Sequence, residues 1–390
     1  PMGITVIEQD DVNHTLLLRV PKIQLVALYG IQDFQYFETP NPPGEPENLP
    51  GRTSHRSNSL YSYSENGLKY RGDGVRVMMQ DDGYIGPHID FTGRINQAFC
   101  SSCSTSPDDN HGDHVGGTIM GAGNINPSNR GMAHGAELFV YNSSNNNYSD
   151  VPNLYNNDDV YITSKSYSDG CNSGYSSLTR SLDQQVRLYP SLVHVFSAGN
   201  NGTSDCDYGA GTGWGNITGG HKSGKNVIAV GNLTSTGNLA GSSSRGPATD
   251  GRIKPDICGV GTSVSSTIYG NEYASFTGTS MSCPGVSGTI AQLFDAYRDL
   301  NAGANPDAAL VKGTILNTAD DFGNPGPDYK YGWGSLNARR SFEVFKNQTY
   351  IAGQISNGGT NNHAIEVPAN VKQLRVMLYW MDYEGSTAAS

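Results

Sequence analysis

Four short segments of the chain carry side chains able to do nucleophilic chemistry together. Ser280 lies in Gly278-Thr279-Ser280-Met281-Ser282-Cys283-Pro284-Gly285, and His111 in Asn110-His111-Gly112-Asp113-His114-Val115. Asp81 lies in Met79-Gln80-Asp81-Asp82-Gly83, and Asn200 in Ala198-Gly199-Asn200-Asn201-Gly202. A serine hydroxyl is a useful nucleophile only when something takes its proton. An imidazole can take it near neutral pH, a carboxylate can fix the imidazole's tautomer, and an amide N–H can stabilise the oxyanion that forms. Acyl transfer needs one of each. Taken singly, each segment also has an ordinary structural explanation. Ser280 fits a Gly/Ser turn capping a core helix, Asp81 a strand-end turn carboxylate, and Asn200 a loop asparagine. His111 and His114, three residues apart, would share a helix face as two metal ligands do, although the H-E-x-x-H arrangement is absent.

The elements that must hold these residues follow from the apolar pattern. Ser280 precedes a periodic stretch from Val286 to Leu300 that reads as a buried helix, with Pro284 expected in its first turn. That puts the hydroxyl at a helix N-terminus, where N–H groups and the helix dipole favour negative charge. His111 is expected to open another Gly-rich helix. Residues 75–79, 137–141, 192–196 and 226–230 are short, nearly continuous apolar runs, as suits strands of a parallel sheet buried on both faces. Several lead into Gly, Asp or Asn, at the strand ends where open α/β sheets gather functional groups. Helices are expected over 179–189, 281–300 and 306–318. At the start, strand 15–20, helix 22–29 and strand 34–37 precede a Pro-rich linker over 39–46. After residue 346, alternating runs at 350–355, 364–367 and 374–379 read as antiparallel strands.

Bulk composition bounds the function classes. The chain has 390 residues, 36% of them hydrophobic and 16% charged, and 25 basic against 36 acidic side chains give a net charge of −11. With no basic stripe, nucleic acid is not an expected partner. No apolar run approaches 18 residues, so no membrane span is expected, and Pro1-Met2-Gly3 does not open a signal peptide. The single C-x-x-C, Cys100 to Cys103, has no partner pair and makes no zinc framework. Six cysteines suggest two or three disulfides in an oxidising compartment, with Cys100–Cys103 and Cys171–Cys206 as the pairs considered.

In chain order the segments read D-x-G, H-G-x-H-V-x-G-T, A-G-N-x-G and G-T-S-M-x-x-P-x-V-x-G. Together they resemble the subtilisin-like serine protease family over about residues 51–345, and Lys254-Pro255-Asp256-Ile257 and Tyr331-Gly332-Trp333-Gly334 resemble further family landmarks. The resemblance implies an α/β fold with a mainly parallel sheet flanked by helices. It implies Ser280 as nucleophile, His111 as general base, Asp81 as the carboxylate orienting it, and Asn200 with the Ser280 N–H as oxyanion donors. Asp82 then occupies the variable middle position, and His114 a packing position. Ile162 to Ser168 resembles the edge on which an extended peptide is bound, which makes Ser166, Tyr167 and Ser168 substrate-binding candidates; an ordinary central strand is the other reading. Ser168 stands where a glycine is usual, and Asp113 where a threonine is common; an acidic group there would raise the pKa of the base. Cys283 is read as buried or paired rather than catalytic.

No cofactor is implied for the chemistry. The family often binds structural calcium, for which Asp108/Asp109, Asp158/Asp159 and Asp320/Asp321 are candidates, although none has the D-x-D-x-D-G spacing. The implied organisation is a partial inhibitory prosegment and linker over 1–50, a catalytic domain over 51–345, and the incomplete start of a C-terminal β-sandwich over 346–390, in a secreted or extracellular precursor. The expected partners are protein or peptide substrates and the chain's own cleaved prosegment and C-terminal fragment. The function expected is a secreted endopeptidase working through an acyl-enzyme on Ser280; the alternative is a latent or non-catalytic peptide-binding scaffold of the same fold.

Overall fold

A computed structural model describes residues 3–10, 15–28, 49–62, 67–100, 110–142, 147–168, 170–171, 174–207 and 209–386. They fall into two compact units, Pro1–Glu45 and Pro46–Ser390. In the first, β1 (Thr5–Asp10) pairs antiparallel with β2 (Thr15–Arg19), and a 3-10 turn over Lys22–Gln24 leads into the single turn α1 (Leu25–Leu28). β2 and α1 match the expected strand and helix. β1 was not expected, since its second half, Glu8-Gln9-Asp10, is polar. The strand expected at 34–37 and the Pro-rich linker lie outside the described residues.

The second unit opens with α2 (Leu49–Ser54), β3 (Arg76–Asp81), the two-residue β4 (Ile95–Asn96), α3 (His111–Met120) and β5 (Glu137–Asn142). It continues with α4 (Val151–Asn157), β6 (Val160–Lys165), α5 (Ser177–Leu188), β7 (Val193–Ser197), β8 (Ile228–Leu233) and β9 (Ile257–Val260). The hairpin β10 (Val264–Ile268) and β11 (Glu272–Phe276) precedes α6 (Thr279–Leu300), α7 (Ala308–Asn317) and α8 (Ala338–Asn347). β4 to β9 form a seven-stranded sheet with β3, in the order β4-β5-β3-β6-β7-β8-β9, and every pairing is parallel. β3 runs between β5 on one side and β6 on the other, so the connection leaving β3 runs toward the β4 edge and the one leaving β6 toward the β9 edge. Crevices at such reversals are where open α/β sheets hold ligands, and Asp81 is the last residue of that strand.

Continuous apolar runs make buried strands here because helices cover both faces: Val77, Met78 and Met79 are all fully buried. α6 is buried from Thr279 through Phe294, which its small residues permit. A Cβ on Gly288 would come within 2.8 Å of the Ile119 carbonyl of α3. β9, β10 and β11 were not expected, because Ile257-Cys258-Gly259-Val260 is short and the hairpin is rich in Ser, Thr and Ala. Pro284 is not in the first turn of its helix. α6 begins at Thr279, so Pro284 sits inside it and has no N–H to give the Ser280 carbonyl four residues back.

The expected antiparallel strands after residue 346 do not form among the described residues: 350–355, 364–367 and 374–379 make no sheet bond. Ile351, Ile355, Val376, Leu378 and Trp380 stay exposed. Alternation alone cannot make a sheet without partner strands and a layer to bury its apolar face. The far end of the segment is nevertheless tied down, with Lys225 Nζ on Asp382 Oδ2 at 2.7 Å and Arg187 Nε on Glu384 Oε2 at 3.1 Å. Cys171 and Cys206 form a disulfide, and Cys100 is disulfide-bonded while Cys103 lies outside the described residues. Cys258 and Cys283 are buried free thiols, so they do not form a third bridge.

Candidate active site

The ends of β3, β6 and β7 and the N-termini of α3 and α6 converge on a cavity of 280 Å³. Asp81, Asp82, His111, Ser166, Tyr167, Ser168, Ser197, Asn200, Thr279 and Ser280 line it. All seven residues singled out for the chemistry or for substrate therefore meet at one place.

Asp81 is 1% exposed, and its Oδ1 takes two donors: His111 Nδ1 at 2.5 Å and the Asp82 N–H at 2.9 Å. His111 is the first residue of α3. With its Nδ1 proton directed at Asp81, the lone pair of the neutral ring resides on Nε2, the tautomer a base needs. Burial works against imidazolium, but the charge of Asp81, its hydrogen bond and then the charge of Asp82 outweigh it and raise His111 to about 9. Beyond Asp81, the acidic neighbour acting on His111 is thus Asp82, not Asp113. The Asp113 carboxyl turns away to accept the Gly86 N–H at 2.7 Å, and burial, opposed by that bond, brings it to about 7.

Ser280, the second residue of α6, is 9% exposed, and its hydroxyl donates to the Ser166 carbonyl at 2.7 Å. No Ser280–His111 hydrogen bond is present among the described residues. A staggered χ1 change re-aims a serine hydroxyl at little cost, and such bonds often tighten only when substrate binds. Asn200 follows β7. Its Oδ1 accepts from the Thr279 N–H at 2.9 Å and the Thr279 hydroxyl at 3.1 Å, which leaves Nδ2 as the amide's free donor end. The Thr279 hydroxyl in turn accepts the Gly199 N–H at 3.1 Å, so one side chain ties the β7 loop to the first turn of α6.

Ile162 to Lys165 is not a substrate edge. β6 is a central strand, paired with β3 and β7 on its two sides, and its backbone is occupied. Only Ser166, Tyr167 and Ser168, beyond its end, reach the cavity. Ser168 puts a hydroxyl where a glycine would leave space, and its Oγ lies 2.8 Å from Thr218 Oγ1. His114 does not face a metal with His111. Its Nε2 is within hydrogen-bond distance of the Val264 and Ala274 carbonyls, its ring stacks on Phe276, and burial lowers it to about 3. The Cys283 thiol donates to the Lys165 carbonyl at 3.6 Å, and burial pushes it up to about 11, which suits packing rather than attack.

The acidic pairs considered for calcium are engaged by protein donors where they are described. Asp159 accepts from Tyr161, Asp320 from Arg340 and Asn337, and Asp321 from the Gly326 N–H; Asp108 and Asp109 lie outside the described residues. Among the described residues, ligand atoms from three or more His, Cys, Asp or Glu side chains converge only at Asp81, Asp82 and His111. Sequence reasoning missed the parts of Asp82, Thr279, Ser197 and Thr218. The Asp81-Asp82 doublet was visible, but what its second member binds was not.

A parallel α/β sheet with an aspartate–histidine pair, a helix-start serine and an asparagine at one crevice defines a serine-hydrolase architecture. The subtilase family model matches residues 72–334, and the chain belongs to that family. It is a serine endopeptidase, and the family's chemistry requires no cofactor. The chain is 32% identical over 279 residues to subtilisin DY of Bacillus licheniformis, covering 69% of this chain and 90% of the relative. With subtilisin E of Bacillus subtilis it is 28% identical over 281 residues, 69% of this chain and 66% of the relative. The structure of the Clostridium perfringens CspB protease matches the fold with a TM-score of 0.64 at 16% identity, covering 76% of this chain and 99% of the other. Among the described residues no helix is long and apolar enough to cross a membrane.

Proposed function

We propose that this protein is a secreted endopeptidase that cuts peptide bonds through an acyl-enzyme on Ser280. Ser280 Oγ attacks the scissile carbonyl carbon as His111 Nε2 takes its proton. Asp81 holds the ring and stabilises imidazolium while the carbonyl oxygen becomes an oxyanion. Asn200 Nδ2 and the Ser280 N–H, at the start of α6, donate to that oxyanion. Collapse breaks the C–N bond, His111 returns the proton to the leaving amine, and a water activated by the same base then cleaves the ester. Substrate lies along Ser166, Tyr167 and Ser168.

The observation that carries this reading is the 2.5 Å bond from His111 Nδ1 to Asp81, in the cavity that Ser280 and Asn200 also line. The Cys171–Cys206 bridge supports export to an oxidising compartment. The unit over Pro1–Glu45 is read as part of a prosegment, and the segment over 346–390, with its exposed apolar side chains, as belonging to a C-terminal β-sandwich. N-terminal sequencing of mature enzyme tests the first of these. A fluorophosphonate probe tests the chemistry. Wild-type protein should be labelled once the linker over 39–46 is cut, and Ser280→Ala should not. Folded, cut wild type that resists labelling overturns the enzyme reading, and a labelled Ser280→Ala overturns the nucleophile.

A further inference from the structure

Asp82 has a place that its variable position in D-x-G does not suggest. Its Oδ2 accepts the His111 N–H at 3.0 Å and its Oδ1 the Gly112 N–H at 2.7 Å. These are the first two N–H groups of α3, which have no partner inside the helix. The local side chain that would cap them, Asn110, has its Oδ1 on the Tyr269 N–H at 2.9 Å. The cap therefore comes from the end of a strand about thirty residues earlier. Gly112 keeps room for it, since a Cβ there would stand 2.3 Å from Asp82 Oδ1. One strand end thus holds His111 twice: Asp81 by the ring and Asp82 by the backbone.

We propose that Asp82 is a positioning residue for the reaction: its carboxylate caps α3 in place of a local side chain and, as a second anion beside His111, sets the pH range in which that base works. The inference rests on the assignment of His111 as general base. The charged groups facing Asp82 are Asp81 on its own strand and His111 and Asp113 on α3. Burial, then the charge of Asp81, raise Asp82 to about 6 against the two N–H donors and His111. An anionic cap favours both the helix start and imidazolium.

The base must be neutral, so kcat/KM falls as pH drops below the pKa of His111. Removing a neighbouring anion disfavours imidazolium, lowers that pKa and moves the acid limb to lower pH. The test is kcat/KM for a fluorogenic peptide from pH 5 to 11 with Asp82→Asn, Asp82→Ala and Asp82→Glu in the full chain after linker cleavage, alongside fluorophosphonate labelling. Asp82→Asn and Asp82→Ala should both move the acid limb down by roughly half to one pH unit, while Asp82→Glu keeps it in place. Asp82→Ala, with no acceptor left, should also lose about tenfold of the plateau rate. A cap that mattered only for folding would lower the plateau and leave the limb alone. That result, in wild-type background that labels normally at Ser280, overturns the inference and leaves the proposed function standing. Failure of wild type to label overturns the proposed function instead. If the neutral variants do not fold, the His111 ring signals of Ser280→Ala, followed by NMR, should show a second inflection near pH 6; a single inflection overturns the inference.

Discussion

The two sides of the cleft are prepared differently. On the β3–α3 side the proposed base is already assembled: Asp81 grips the His111 ring at 2.5 Å, and Asp82 grips its backbone at 3.0 Å. On the β6–α6 side the proposed nucleophile, Ser280, is held away, its hydroxyl on the Ser166 carbonyl at 2.7 Å, while Asn200 is fixed by its oxygen end. Both sides use a helix N-terminus, to opposite ends. At α3 the dipole is satisfied by a carboxylate of the protein. At α6 the Thr279 N–H takes the neutral amide oxygen of Asn200, and Ser280, the next residue, lines the cavity at the positive end of the helix dipole. A base can be fixed in advance because its geometry is the same through the reaction. An oxyanion site must stay open until there is an oxyanion to fill it.

The largest effect belongs to the side that forms the bond. Ser280→Ala should lower kcat by about 10⁶, the scale known from subtilisin itself when its nucleophile is removed. Burst kinetics and probe labelling should vanish together; a residual rate within a hundredfold of wild type would mean another nucleophile. On the other side, Asp81→Asn keeps the shape of the pair and reverses its polarity, since an amide N–H₂ facing Nδ1 calls for the other tautomer. A loss near 10⁴ in kcat is expected, as in other serine triads. Asp81 also stabilises imidazolium, raising His111 to about 9, so below that pH neutralising Asp81 should lower the melting temperature as well. Above about pH 10, where the ring is neutral in both proteins, the two melting temperatures should converge. A lowered melting temperature with unchanged activity would make Asp81 a structural carboxylate.

Much of this was legible because both ends of each reactive segment are punctuated. Asp81, Asn200 and Ser280 each abut a glycine-bearing turn and an apolar run, and His111 opens a Gly-rich helix, so their element ends could be placed from local pattern alone. The sheet strands with Val, Ile, Leu and Phe runs could be read for the same reason. β10 and β11 could not, because Ser265, Ser266, Thr267 and Ala274 are held as strand by their cross-hairpin partners rather than by propensity. The C-terminal runs failed in the other direction. Their alternation is that of strands, but strand structure needs a partner, and no pattern within one segment supplies it. Asp82 and Thr279 were illegible because their work is a bond to a residue 30 or 79 positions away.

Asn200→Ala should cost about 10² to 10³ in kcat with little change in KM, the loss known from subtilisin when its oxyanion amide is removed. It weakens the open side without touching the assembled one, so the acid limb of the pH profile should not move. Movement of that limb would tie Asn200 to the base.

The smallest effect sharpens the same contrast. Thr279→Val preserves shape but removes the hydroxyl that joins Asn200 Oδ1 to the Gly199 N–H. The Thr279 N–H still holds Asn200 at 2.9 Å, so the amide keeps one of its two tethers. A hydrogen bond of this kind is worth about 0.5–1.5 kcal/mol, which predicts a loss of roughly twofold to tenfold in kcat. The orphaned Gly199 N–H is buried, so the melting temperature should also fall, while Thr279→Ser should restore both. If Thr279→Val instead matched the loss of Asn200→Ala, the backbone tether would be holding nothing. The open side of the cleft would then depend on a single hydroxyl for its preorganisation.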